Sequence, residues 1–292
     1  MNARLHRSGK SLLVVTAIAI ALMVFGAARF PESIAGSGLT PFLTSVGVLM
    51  VYFAVGIWAG RASPRIQAVL AAGTVVGLSI AAIGVLYHIV EITTAVPPSV
   101  GAVIGGGMWG AMFLAYGLTC SITMMKDKSI ALGILSSVWC GMVYAGALVA
   151  SALAIGFVFM AHMERILAPL YETSGMHDSQ SFVVRNHMGI AGEHLLLVPL
   201  VAVLVGVVSG VACRLFASIK RQAALAVAIV AVLVFGAAIA SLRVASFLER
   251  HQRPPFVAFG LIGLAVTLAS APALFTAIRH RPESSEGNRC SV

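Results

Sequence analysis

Apolar residues run along this chain in stretches of about twenty, separated by short polar or charged segments. Eight such runs cover residues 11–28, 41–60, 66–87, 101–125, 130–161, 194–216, 222–242 and 256–278. A helix needs about 20 apolar residues to cross a hydrocarbon core about 30 Å thick, so each run is read as a spanning helix. Pro31, Pro41, Pro64, Pro97, Pro98, Pro254 and Pro255 fall between runs or at their starts, where a residue without an N–H belongs. Pro199 lies inside the sixth run and should kink it. The pattern predicts an all-α, polytopic transmembrane helix bundle of about eight spans. Residues 1–281 form the integral membrane helical domain, and 282–292 a disordered cytoplasmic tail.

The longest link joins spans five and six. Met163, Ile166, Leu167 and Leu170 fall at i, i+3, i+4 and i+7, the stripe of an amphipathic helix. Val183, His187, Ile190 and His194 form a second stripe after Gly175. Together they predict a helical hairpin on the outer side, broken near Pro169 and turned at residues 175–178, or else lying flat on the surface.

Charge sets the orientation. With the N-terminus in the cytoplasm, 13 Lys and Arg fall on the cytoplasmic side and 6 on the other, the bias of the positive-inside rule. Both termini are then cytoplasmic, in a plasma (inner) membrane. The basic start, the apolar residues 12–25 and the small residues 26–28 also resemble a signal peptide. Cleavage there would leave seven spans with the same orientation.

Composition agrees with lipid as the main solvent. Hydrophobic residues make up 59% of the 292 and charged ones 10%, against about 25% charged in soluble domains. Mean hydropathy is +0.99. The net charge of +9 sits in clusters flanking the apolar runs. It is therefore a topology signal, with no basic and aromatic pattern for nucleic acid. The expected partner is the lipid bilayer; small-residue helix faces such as Gly56/Gly60, Gly73/Gly77 and Gly206/Gly210 are read first as packing the bundle itself, with a homo-oligomer through one of them as the alternative. Ser79–Gly84 and Ser151–Gly156 match at an offset of 72 residues, a faint trace of duplication. None of the four cysteines forms a C-x-x-C pair, so they are read as reduced structural thiols.

The centres of the spans carry no ionisable residue, against a proton-coupled carrier. Polar chemistry gathers on the outer side, which holds six of the eight histidines. With a rise of about 1.5 Å per residue from the cytoplasmic anchors, His88, Glu91, Glu193, His194 and Arg243 reach one layer about 30–39 Å up. His88 and Glu91 share a helical face. His187 and His194 are two turns apart, about 10.5 Å, too far to bind one ion. His88, Glu91, Glu193 and His194 are thus candidate ligands of a divalent transition metal, and Arg243 the cationic half of a structural ion pair with Glu91 or Glu193. Methionine-bound copper is a weaker variant, and a bis-histidine haem between His88 and His194 weaker again. No HExxH, HxxxH, serine elbow or EF-hand loop is present. Two functions follow: a membrane protein with a His/Glu metal-binding or catalytic centre at the outer boundary, or a non-enzymatic transporter, channel or complex subunit.

The topology is directly testable. Cysteines placed at Ser174 and Ser284 should react with an impermeant thiol reagent from opposite sides of the membrane, and labelling from the same side would exclude the eight-span arrangement.

Overall fold

The structure, a computed structural model, describes residues 7–94 and 98–216. The two last expected spans, Arg243 and the C-terminal tail lie outside the described residues. Those residues form seven helices: α1 (Arg7–Arg29), α2 (Leu39–Arg61), α3 (Pro64–Thr93), α4 (Pro98–Asp127), α5 (Ile130–Val158), α6 (Met160–Tyr171) and α7 (Ser179–Phe216). Two short 3-10 turns, Pro31–Ile34 and Gly36–Gly38, join α1 to α2, and no strand occurs among the described residues. Five of the helices contain segments long and apolar enough to cross a membrane, namely Gly9–Arg29, Gly36–Arg61, Pro64–Val90, Ile130–Val158 and Ser179–Val211. The fold is thus all-helical and compatible with a multi-pass membrane protein.

The hairpin differs from the expected one in two ways. Its break falls at Phe159, between α5 and α6, and Pro169 lies inside α6. The turn bends at Gly175, whose φ of +71° suits a residue without a Cβ. Residues 179–193 are not a separate limb. They are the first turns of α7, a single helix of 38 residues that carries Pro199 in its interior.

Helix α5 is the hub, with α1, α3, α4 and α7 packed along it. Trp139, Cys140, Val143 and Ala145 on it are almost wholly buried. By contrast Val75, Leu86, Leu196, Leu200 and Leu204 are exposed, the outward apolar surface that lipid would cover. Lipid gives apolar helices no drive to associate, so close contact and hydrogen bonds must hold them together. A Cβ on Gly73 would stand 2.7 Å from the Ser136 carbonyl oxygen, and one on Gly77 2.7 Å from that of Cys140. The Gly73/Gly77 pair is therefore spent on packing α3 against α5. Trp139 Nε1–H donates to Thr74 Oγ1 at 2.8 Å, Ser136 Oγ–H to the Val69 carbonyl at 3.3 Å and Ser137 Oγ–H to that of Ala202 at 2.9 Å.

One further bond between helices repairs a defect that proline creates. Pro199 has no N–H, so the carbonyl of Leu195, four residues earlier, loses its helical donor. Tyr52 Oη–H of α2 donates to that carbonyl at 2.7 Å. Ser45 Oγ–H, two turns away on α2, donates to the Met188 carbonyl at 3.1 Å. At the opposite end of the bundle from the hairpin, Arg65 and Asp127 form an exposed ion pair at 3.3 Å between the start of α3 and the end of α4. Exposed pairs of this kind contribute little to stability.

Replacing Tyr52 by Phe leaves a buried carbonyl without a donor and should cost about 1–3 kcal/mol in detergent unfolding. In a Pro199→Ala background the backbone N–H restored at that position supplies the donor, so the same replacement should cost markedly less. Equal costs in the two backgrounds would show that Tyr52 does not compensate for Pro199.

Candidate functional site

A cavity of about 450 Å³ opens among α3, α4, α5, α6 and α7 at the hairpin end of the bundle. Small-molecule sites typically measure about 300–1,000 Å³. Three histidines line it: His88 from the end of α3, and His187 and His194 from α7. Tyr87, Tyr144 and Asn186 add further polar groups, and Met108, Met112, Met163, Ile166 and Leu167 make much of the wall apolar. The described lining contains no carboxylate, ammonium or guanidinium group.

The hairpin builds one wall. Met163, Ile166 and Leu167, three of the four residues in the predicted amphipathic stripe, line the cavity, and Met163 is buried. Hence α6 turns its apolar face inward beside the start of α7. Tyr171 packs its ring on Phe182 at 5.8 Å and donates its hydroxyl to the His177 carbonyl at 3.0 Å. Ser179 Oγ–H donates to the Glu164 carboxylate across the turn.

The α1–α2 link locks the rotation of α7. Arg185 Nη2–H donates to the carbonyls of Glu32 and Ala35 at 2.7 and 2.8 Å, and Nε–H to that of Ser33 at 3.1 Å. In return the Glu32 carboxylate accepts the backbone N–H groups of His177 and Asp178 at 2.9 and 3.0 Å. Arg185 and His187 lie about 200° apart around the helix, so the clamp on one side turns His187 toward the cavity on the other.

The two α7 histidines are held alike. His187 Nδ1 lies 2.8 Å from the Val183 carbonyl oxygen, and His194 Nδ1 lies 2.9 Å from that of Ile190, each four residues back. A carbonyl only accepts, so Nδ1 carries the hydrogen. In the neutral rings the lone pair therefore sits on Nε2.

Of the residues expected to form a metal centre, His88 and His194 both line this cavity, to which α5 also contributes a wall. Glu193 is exposed and outside the cavity lining, because one residue on a helix turns a side chain by about 100°. The side chain of Glu91, and Arg243 altogether, are outside the described residues. No group of three His, Cys, Asp or Glu side chains arranged to hold a metal ion occurs among the described residues. His187, too far from His194 to share an ion with it, nevertheless belongs to the site because the cavity is long enough to reach both. Its signal in the sequence is the i, i+7 spacing with His194 on one stripe. Tyr144, Met108 and Met112 carry none, since isolated residues of these types are ordinary inside apolar runs.

Comparison with known protein families, curated proteins and solved structures returns no match.

Asp178 caps α7, accepting from the backbone N–H of Ser181 at 3.0 Å and of Gln180 at 3.3 Å. The Ser181 hydroxyl above all holds its carboxyl below the usual carboxylate range; burial opposes this next in strength, and the two N–H groups and Arg29 add to the lowering. A carboxyl depressed in the folded state contributes stability that is complete above its unfolded value and lost as pH falls through the folded one. Pepsin cleavage around Tyr171 should therefore stay slow down to about pH 4 and accelerate below it. Asp178→Asn, which caps without titrating, should flatten that rise. An identical acid dependence in the variant would place its origin elsewhere.

Proposed function

We propose that this chain is a multi-pass integral membrane protein that binds a small, neutral, apolar-bodied molecule in the cavity of His88, His187 and His194. The supporting observation is the lining itself: apolar walls with a few convergent hydrogen-bonding groups, built from five helices, at one end of the bundle. A charged ligand would enter without a described counter-charge, which is costly in such surroundings. The reading is of a binding or carrier function rather than a catalytic one, in keeping with the non-enzymatic alternative read from the sequence. In the full arrangement proposed here the bundle has eight spans and both termini in the cytoplasm. The α6–α7 hairpin then lies on the outer side of the plasma membrane, and the cavity opens near the outer boundary. A shared metal at His88, Glu91, Glu193 and His194 is less favoured, because Glu193 stands outside the lining.

The test is thermal unfolding of the purified full chain in detergent, with and without small neutral aromatic compounds such as phenol, toluene, hydroquinone and benzoquinone. Ligand at about 100 times its Kd stabilises by about 2.7 kcal/mol, so at least one compound should raise Tm by several degrees. Ala152 also lines the cavity, and Ala152→Trp fills it. The shift should vanish in that variant. A shift that survives Ala152→Trp, or no shift with any compound, would overturn the reading.

A further inference from the structure

Helix α7 is held by three neighbours and carries one bare stripe. Tyr52 and Ser45 of α2 and Ser137 of α5 donate to its carbonyls, and Cys120 Sγ–H of α4 donates to the Gly206 carbonyl at 3.1 Å. Away from these contacts stand Glu193, Leu197, Leu200, Leu204, Val207 and Val211, all exposed among the described residues. Their spacing of i, i+4, i+7, i+11, i+14 and i+18 is that of a single helical face. The stripe is about 27 Å long, close to the thickness of a hydrocarbon core.

Lipid tails would suit the leucines, but the chain itself supplies a nearer cover. Helix α7 ends at Phe216, and the next apolar run, 222–242, begins after a link of five residues, 217–221. A link that short joins antiparallel neighbours, so the run returns along α7. With α2, α4 and α5 already packed on that helix, the bare stripe is the side left for it.

Side-chain size and charge fit the same placement. On a helix through that run Leu225, Ile229, Val232, Gly236, Ala240 and Arg243 share one face. Folded back at the link, they stand opposite Val211, Val207, Leu204, Leu200, Leu197 and Glu193 in that order, each pair centred at or just past residue 218. Gly236 and Ala240 then meet Leu200 and Leu197, small against large, which lets the backbones approach. Counted from Arg214 and Arg221 at the cytoplasmic end, Glu193 lies about 31 Å up and Arg243 about 33 Å. An intramembrane arginine without a partner is costly, and no described cation pairs with Glu193.

We propose that residues 222–242 dock antiparallel on the bare stripe of α7, with Arg243 paired to Glu193 at its outer end. The rotation of α7 that keeps Glu193 out of the cavity places it on the docking face. Of the two carboxylates that the sequence offers Arg243, the stripe selects Glu193. The inference rests on the eight-span arrangement proposed above and is independent of what the cavity binds.

The experiment is oxidative cross-linking of the full chain in membranes, read by mass spectrometry of the joined peptides. Cys120, Cys140 and Cys213 are buried and stay in place. Leu200→Cys with Gly236→Cys should form an intramolecular disulfide in most of the protein, since such a bond needs Cα atoms within about 7 Å. Val75, exposed on α3, supplies the control: Val75→Cys with Gly236→Cys should yield at least about tenfold less. Leu204→Cys with Val232→Cys repeats the measurement one turn deeper where the first pair does not fold. In thermal unfolding, Glu193→Arg and Arg243→Glu should each lower Tm by several degrees, and the double exchange should restore most of the loss. A disulfide joining Leu200→Cys of two chains would give the stripe to a second copy, and yields at the Val75 level would leave it to lipid. Either result overturns the docking. A double exchange no more stable than the single variants would overturn the pairing of Arg243 with Glu193. Should the cross-link fail while Ser174 and Ser284 label from opposite sides, the eight spans stand and the docking alone falls; labelling from the same side removes both.

Discussion

Helix α5 is enclosed by its neighbours, and in a bilayer only contact can keep it so. Water expels apolar surface, but lipid tails are as apolar as leucine, so helices gain by approaching closely and by exchanging hydrogen bonds. Both devices converge on α5. Gly73 and Gly77 let α3 touch its backbone, and Trp139, Ser136 and Ser137 reach out to Thr74, Val69 and Ala202. If α3 were pushed away from Ser136 and Cys140, every element resting on α5 would move with it, including both flanks of the cavity.

The same scarcity of partners explains the bond between Tyr52 and Leu195. A proline within a spanning helix leaves one carbonyl without a donor, and nothing in a hydrocarbon layer can satisfy it. A tyrosine on the neighbouring helix does. This ties α2 to α7 at the depth of Pro199, as Ser45 does two turns away. The Arg185 clamp ties the α1–α2 link to the start of α7. Between them the two ties fix α7 against sliding and against rotation.

The coarse fold is legible in the sequence because its cause is one-dimensional. A run of about twenty apolar residues spans a bilayer wherever its neighbours lie, and the described helices α1 to α5 follow the first five runs closely. The amphipathic stripe of α6 is legible for the same reason, as periodicity is a property of consecutive residues. The position of the hairpin break is not. Proline is the strongest breaker in the segment, yet Pro169 sits in the third turn of a short helix, and the chain bends at Phe159, which has no sequence signature for it.

Consecutive residues alone dictate which segments are helical, which faces are apolar and where the polar side chains collect along the chain. Which of those side chains meet is settled by the packing of the bundle. Height along separate spans brings His88 and His194 to one region, but height says nothing of rotation about a helix axis. For that reason Glu193, beside His194 in sequence, stands exposed, while His187, two turns away, shares its cavity. Rotation is set by contacts between distant segments, here Arg185 on the carbonyls of residues 32–35 and His187 against Gly156. Such contacts leave no local pattern to read, because the partners are far apart in the chain and meet only when the bundle closes.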